Sequence, residues 1–155
     1  MLRKLLIAAL AVAIAASADG QVPAPAPSGI MSPEAAVAAA AANPRDGKRG
    51  TFEMLVRSTG TSHGHVFLNS EADYRDPNNL SVDLDVRATK SLERQLGAPA
   101  DQFYKGKSIV VRGTARRMPV LFFDDYGRPT GNFYYQTHVP VREPGQITIA
   151  PAAAN

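Results

Sequence analysis

Residues 51–58 alternate along the chain: Phe52, Met54 and Val56 fall on one side, Glu53 and Arg57 on the other. A two-residue period is the mark of a half-buried strand. Thr59, Gly60, Thr61 and Ser62 read as a turn, and 63–70 as a second strand with Val66 and Leu68 facing in. After a polar, turn-forming stretch at 71–79, residues 80–86 place Leu80, Val82, Leu84 and Val86 on one face. The period then changes. Residues 88–96 are good helix formers, and Gly97 stands where a left-handed C-cap belongs. Residues 108–116 return to strand, with Ile109, Val111, Gly113 and Ala115 on one side. An aromatic stretch at 119–123, a turn-rich segment at 124–132, a strand at 133–142 and a short last strand at 146–149 complete the pattern. The order of the main elements is three strands, one helix, two strands, with the short 146–149 strand after them. It predicts a mainly β domain, a small five-stranded OB-type Greek-key barrel with one helix between strands 3 and 4. Another small barrel or sandwich with an incidental helix is the alternative.

The N-terminal third follows different rules. Arg3 and Lys4 precede an apolar run, and Ala16-Ser17-Ala18 supplies small residues at the positions a signal peptidase reads. Residues 1–18 are therefore expected to be a signal peptide, and the protein to be periplasmic or secreted. Residues 19–31 are rich in Pro and Ala and predict an extended linker. Ser32-Pro33-Glu34 is a helix start, with Ser as N-cap and Pro in the first turn. The alanines that follow run to Ala42, and Asn43-Pro44 ends them. Only Val37 interrupts the alanines, so this helix is expected to dock weakly and fray. The division expected is signal peptide 1–18, linker and Ala-rich helix 19–49, barrel 50–150 and disordered tail 151–155.

Charge and composition narrow the chemistry. The chain holds 17 Lys and Arg against 14 Asp and Glu; loss of Arg3 and Lys4 with the signal peptide leaves it near neutral. Nucleic-acid binders usually carry a strong basic footprint, so that average disfavours a polyanion partner. Cysteine is absent, which removes disulfides, thiolate metal sites and thiol nucleophiles. No strand–Ser–helix elbow or Gly-rich phosphate loop is present, and Asp124-Asp125 reads as a turn former. The chain is expected not to be an enzyme and to use no cofactor.

Val66-Phe67-Leu68-Asn69-Ser70, Asp73-Tyr74-Arg75-Asp76-Pro77 and Phe103-Tyr104-Lys105-Gly106-Lys107, with Ile109, Val111 and Gly113 after them, resemble OB-fold domains of the tRNA-anticodon-binding-like type found in exported bacterial proteins. The resemblance covers 51–117 and resumes at 146–149. It implies a barrel with a nucleic-acid or polyanion groove, and it transfers no site residues. The chain departs from that pattern at 118–142, where the last hairpin is enlarged.

Three groups of side chains remain as candidates. Alternation puts His63, His65, Phe67 and Asn69 outward on the second strand, and Ser81, Asp83 and Asp85 outward on the third. Two carboxylates there would repel phosphate, while Phe67 is free to stack. His63, His65, Asp83 and Asp85 are weak metal candidates by spacing, with plain polar surface as the alternative. The enlarged hairpin carries Phe122, Phe123, Tyr126, Phe133, Tyr134 and Tyr135, six of the eleven aromatic residues, beside Arg116, Arg117 and Arg128. These rings either form a contact surface or pair across the strands. The reading that results is an exported, non-enzymatic binding module for an envelope protein or glycan. Its ligand residues are Phe67, Arg116, Arg117, Phe122, Tyr126, Arg128 and Tyr134. The alternative is polyanion or nucleic-acid binding through Arg57, Lys105, Lys107, Arg112, Arg116 and Arg117.

Overall fold

A computed structural model describes residues 29–151. The expected signal peptide, most of the linker and nearly all of the expected tail lie outside the described residues. Within them the chain forms β1 (Ile30–Met31), α1 (Pro33–Ala42), β2 (Lys48–Leu55), β3 (Ser58–Ser62), β4 (His65–Asn69), β5 (Leu80–Leu84), α2 (Val86–Leu96), α3 (Ala100–Tyr104), β6 (Ser108–Phe123), β7 (Pro129–Val141) and β8 (Ile147–Ile149).

The strands pair in the order β1-β2-β6-β7-β5-β4-β3, with β8 also on β6. All pairs are antiparallel except β1 with β2 and β5 with β7. Apart from the two-residue β1 at one edge, the path runs from β2 to β3, and these two strands are consecutive in the chain. At their junction the strand changes partners: Val56 exchanges backbone bonds with Gly106 and Lys107, whereas the Arg57 N–H donates to the Asn69 carbonyl. One bent strand therefore joins both edges, and the sheet closes into a barrel.

The inward alternation appears as burial. Phe52, Met54, Val56, Val66, Leu68, Leu80, Val82, Leu84, Ile109, Val111, Ala115, Val139 and Val141 form one core cluster. Gly113 belongs to the same face because space demands it: a Cβ there would lie 2.7 Å from Val139 Cγ1.

Among the described residues the structure holds eight strands: the five expected, the short last strand, and two more, each with a physical reason. Thr59 to Ser62, expected as a turn, are the second half of the bent strand; they pair with β4 from Ser58↔Asn69 to Ser62↔His65. The turn is instead His63-Gly64, both at positive φ (49° and 80°), as a two-residue hairpin of the primed type requires. Ile30–Met31, the end of the expected linker, adds a short parallel strand to β2. Residues 119–123 continue β6 rather than following it.

Helix α1 docks rather than frays. It bridges β2, β6 and β5, and Ala36 and Ala40 are completely buried. Side chains this small let the helix backbone approach the strands closely, so the alanines replace the missing bulky face. Both β1 and α1 thus pack on the barrel although they precede the Gly50 boundary. The second helix starts two residues early. Asp85 leaves the strand and caps α2 by accepting from the Ala88 N–H at 2.8 Å, and Val86, expected inside, is exposed in the first turn. Gly97, at φ 66°, closes the same helix.

One seam shapes the outer surface. β6 pairs with β8 at Ile109–Val111 and with β7 only from Arg116 onward. The Gln146 amide fills the gap, donating to the Arg112 carbonyl and accepting from the Arg142 and Glu143 N–H groups.

Candidate functional site

A groove of about 640 Å³ runs over the outer face of β3, β4, β5 and β7. Its lining follows from the strand period. The odd-numbered outward position of β4 supplies Phe67, β5 supplies Ser81, and β7 supplies Tyr134, Gln136 and His138. Ser58, Thr59, Thr61 and Ser62 of β3 form one wall; Tyr74 of the 70–79 loop and Val120 of β6 add the rest. Rings, hydroxyls and amides line it, and the Arg75 guanidinium stands 5.0 Å over the ring of the lining Tyr74.

The polar groups on β7 are ordered in a chain. Gln136 donates through Nε2 to Tyr134 Oη at 2.7 Å and to the Tyr74 carbonyl at 3.4 Å. Its Oε1 then accepts from His138 Nε2 at 2.7 Å. Burial pushes the His138 imidazole below its ordinary pKa of 6.5, against a smaller opposite pull from Asp83. The ring is therefore neutral at neutral pH and serves as a donor in the groove. Burial also raises the Tyr134 phenol. Phe67 lies between two imidazoles, 6.1 Å from His65 and stacked, 5.9 Å from His138 and tilted.

The 70–79 loop that carries Tyr74 is pinned by Asn79. This amide, 2 % exposed, donates to Asn69 Oδ1 and the Tyr74 carbonyl and accepts from the Glu71 N–H and Ser70 hydroxyl.

The residues singled out from the sequence separate into four places. Phe67 and Tyr134 line the groove. Phe122 extends it: its ring lies 5.4 Å from Tyr134 on the same side of the β6–β7 ribbon. Arg117 is on the other side of that ribbon, its guanidinium 3.6 Å above the Tyr135 ring, and Phe133 meets Tyr135 edge-on. Tyr126 and Arg128 stand at the ribbon's tip. Tyr126 is 84 % exposed, and Arg128 covers its ring from 5.1 Å while pairing with Asp124 at 2.9 Å. Backbone donation from Arg128, then its side chain, holds the Asp124 carboxyl below its usual range. Arg116 pairs across the strands with His138 but does not line the groove; its guanidinium donates to the Arg45 carbonyl at 3.4 Å.

The four metal candidates are not gathered. His65 and Asp83 meet at 2.7 Å, but His63 turns out at the hairpin and contacts Ser62, and Asp85 is spent on its helix cap. Among the described residues no three of His, Asp or Glu assemble as a metal cluster.

Sequence reading missed Tyr74, Gln136 and His138. The last two were accessible: residues 134, 136 and 138 share the outward phase of a strand whose inward phase is Thr137, Val139 and Val141. Tyr74 was not, because its place depends on the Asn79 clamp.

No helix among the described residues is long and apolar enough to cross a membrane. No protein-family model matches the chain, and no curated protein sequence does. Among solved structures, the chain is similar to a candidate aspartyl-tRNA synthetase from Leishmania major Friedlin, at 11 % identity and a TM-score of 0.44; the match covers 87 % of this chain and 22 % of that one.

Proposed function

We propose that this chain is an exported, non-enzymatic binding module built on a five-stranded Greek-key OB core, and that its groove takes an uncharged, hydroxyl-rich ligand, a glycan. One observation carries the reading: the groove sets the rings of Phe67, Tyr74 and Tyr134 among hydroxyls and amides, with a single guanidinium, Arg75, over the Tyr74 ring. Sugar rings present apolar faces to aromatic rings and hydroxyls to amide and hydroxyl partners. In OB barrels the second and third strands and the last hairpin form the usual ligand face. Here these are β4, β5 and the β6–β7 ribbon. Export rests on the character of residues 1–18.

A protein partner is the second reading, and a separate surface favours it. On the ribbon side turned away from the groove, Leu121, Phe123 and Phe133 are 47 %, 58 % and 51 % exposed. Apolar patches of this kind mark contact surfaces.

The test is binding of the purified protein to a panel of neutral oligosaccharides and to single-stranded DNA and RNA, at low and high salt. The glycan reading expects saturable saccharide binding that is insensitive to salt. Phe67→Ala and Tyr134→Ala should each weaken it about tenfold, since a lost stacking contact is worth about 1–1.5 kcal/mol. Nucleic-acid binding that collapses with salt and is lost in the same variants would overturn it.

A further inference from the structure

Further round the outer surface of the barrel lies a second groove, also of about 640 Å³, at the seam where β6 leaves β8 for β7. Four arginines line it: Arg49 from β2, Arg112 and Arg116 from β6, and Arg142 beyond β7. Strand register explains their convergence. Thr51 pairs with Arg112 and Arg49 with Thr114, so the two strands set basic and hydroxyl side chains in a checkerboard on one surface. Arg116 continues the β6 row two residues on.

The groove contains no acid. No carboxylate oxygen lies within 4 Å of any of the four guanidinium groups among the described residues, where the two close acid–base pairs are His65–Asp83 and Arg128–Asp124. Arg112 and Arg116 are steadied only by backbone carbonyls, those of Gly145 at 3.2 Å and Arg45 at 3.4 Å. Most of their donor capacity remains free. Acids stand nearby without pairing: Asp46 follows Arg45, Glu143 follows Arg142, Glu53 is two residues from Thr51 on β2, and Asp83 pairs with the lining Pro140. The near-neutral average of the chain therefore conceals a cluster of four arginines that, among the described residues, has no carboxylate in direct contact.

We propose that this groove is an anion site for linked phosphoryl groups, a diphosphate or longer oligophosphate. Guanidinium forks bind phosphoryl oxygens in bidentate fashion. Four fixed positive charges exceed what a single orthophosphate neutralises, and they match a chain of two or three phosphoryl units, with Thr51 and Thr114 as neutral donors between them. This site shares no lining residue with the glycan groove and does not depend on it.

Calorimetric titration of the purified protein with sodium tripolyphosphate tests the site, with orthophosphate and citrate titrated in parallel. The expected order is tripolyphosphate, then pyrophosphate, then orthophosphate. An ATP arm and a phospholipid-vesicle arm ask whether a nucleotide tail or a lipid headgroup presents the phosphates. The variant Arg49→Gln/Arg142→Gln should weaken tripolyphosphate binding at least tenfold. Arg87→Gln/Arg94→Gln, which removes the same charge from α2, should leave it unchanged, as should Phe67→Ala. Equal losses in both double variants, or citrate binding as tightly as tripolyphosphate, would reduce the effect to bulk charge and overturn the proposal. Absence of tripolyphosphate binding at low salt would overturn it as well.

Discussion

Replacing Asn79 by Leu should be among the most damaging single changes available outside the apolar core. The side chain is nearly the same size, so the change creates no large void; it removes hydrogen bonds. Asn79 makes four, two as donor at 3.3 and 3.2 Å and two as acceptor at 3.1 and 3.4 Å. Its own residue is 2 % exposed, and its partners Asn69 and Ser70 are 4 % and 3 % exposed, so water cannot readily take over. A hydrogen bond contributes about 0.5–1.5 kcal/mol net, and a buried group left unpaired costs about 1–3 kcal/mol. Two of the four contacts are long, which places the total at about 2–4 kcal/mol. Urea unfolding followed by fluorescence of the tyrosines should show a lower midpoint at an unchanged slope. The melting temperature should fall by roughly 10 °C. Asn79→Asp makes the argument sharper. It keeps both acceptor contacts but turns an oxygen toward Asn69 Oδ1 and the Tyr74 carbonyl, acceptor against acceptor. That variant should be at least as unstable as Asn79→Leu at neutral pH. A loss below about 1 kcal/mol in Asn79→Leu would refute the reasoning, because it would mean that the 70–79 loop is not held by this amide. The groove supplies a second readout: Tyr74 loses its anchor, so ligand affinity should fall even under conditions where the barrel stays folded.

The His138 imidazole is held below 6.5 by burial, so its contribution to stability is complete above 6.5 and is lost as pH falls through that value toward the folded pKa. Unfolding midpoints measured from about pH 8 down to about pH 5 should decline more steeply in the wild type than in His138→Gln, and parallel curves would refute the assignment. Asp85→Ala removes the cap of α2 and should cost about 1 kcal/mol, read as a shift in urea midpoint. Gly97→Ala, at φ 66° with no atom within 4 Å of its added Cβ, should cost about 1–2 kcal/mol through backbone strain alone.

What the sequence reveals about this fold, and what it conceals, divides along one line: periodic burial is visible, and compensation between distant residues is not. The inward rows from Phe52 to Val56, from Leu80 to Leu84 and from Ile109 to Ala115 are legible because each strand must hide every second residue. The helix between β5 and β6 is legible because Gly97 can serve as its C-cap. Its start is misread by two residues, since Val86 continues the alternation while Asp85 answers to a stronger local demand, an unpaired N–H at Ala88. The second half of the bent strand is hidden for the opposite reason. Thr59, Gly60 and Thr61 line a polar groove and have no apolar row to show, so their composition is that of a turn although their backbone is that of a strand. Docking of α1 is hidden as well, because burial by close backbone approach leaves only alanines in the sequence.

The same distinction governs the sites. Phe67 and Tyr134 can be placed from strand phase alone. Arg116 cannot be assigned to the correct face without knowing that β6 is shared: its early part faces β2 and β8, its later part faces β7, and Arg116 stands where the partners change. A single residue of phase then separates it from Arg117, so two adjacent arginines serve different surfaces, Arg116 the basic groove and Arg117 the ring of Tyr135. Net charge fails in the same way. A sum over the chain treats each acid as cancelling a base, yet among the described residues no carboxylate lies within 4 Å of the four arginines of the basic groove. Charge in a small barrel has to be counted groove by groove, and the four arginines at the β6 seam emerge only from that count.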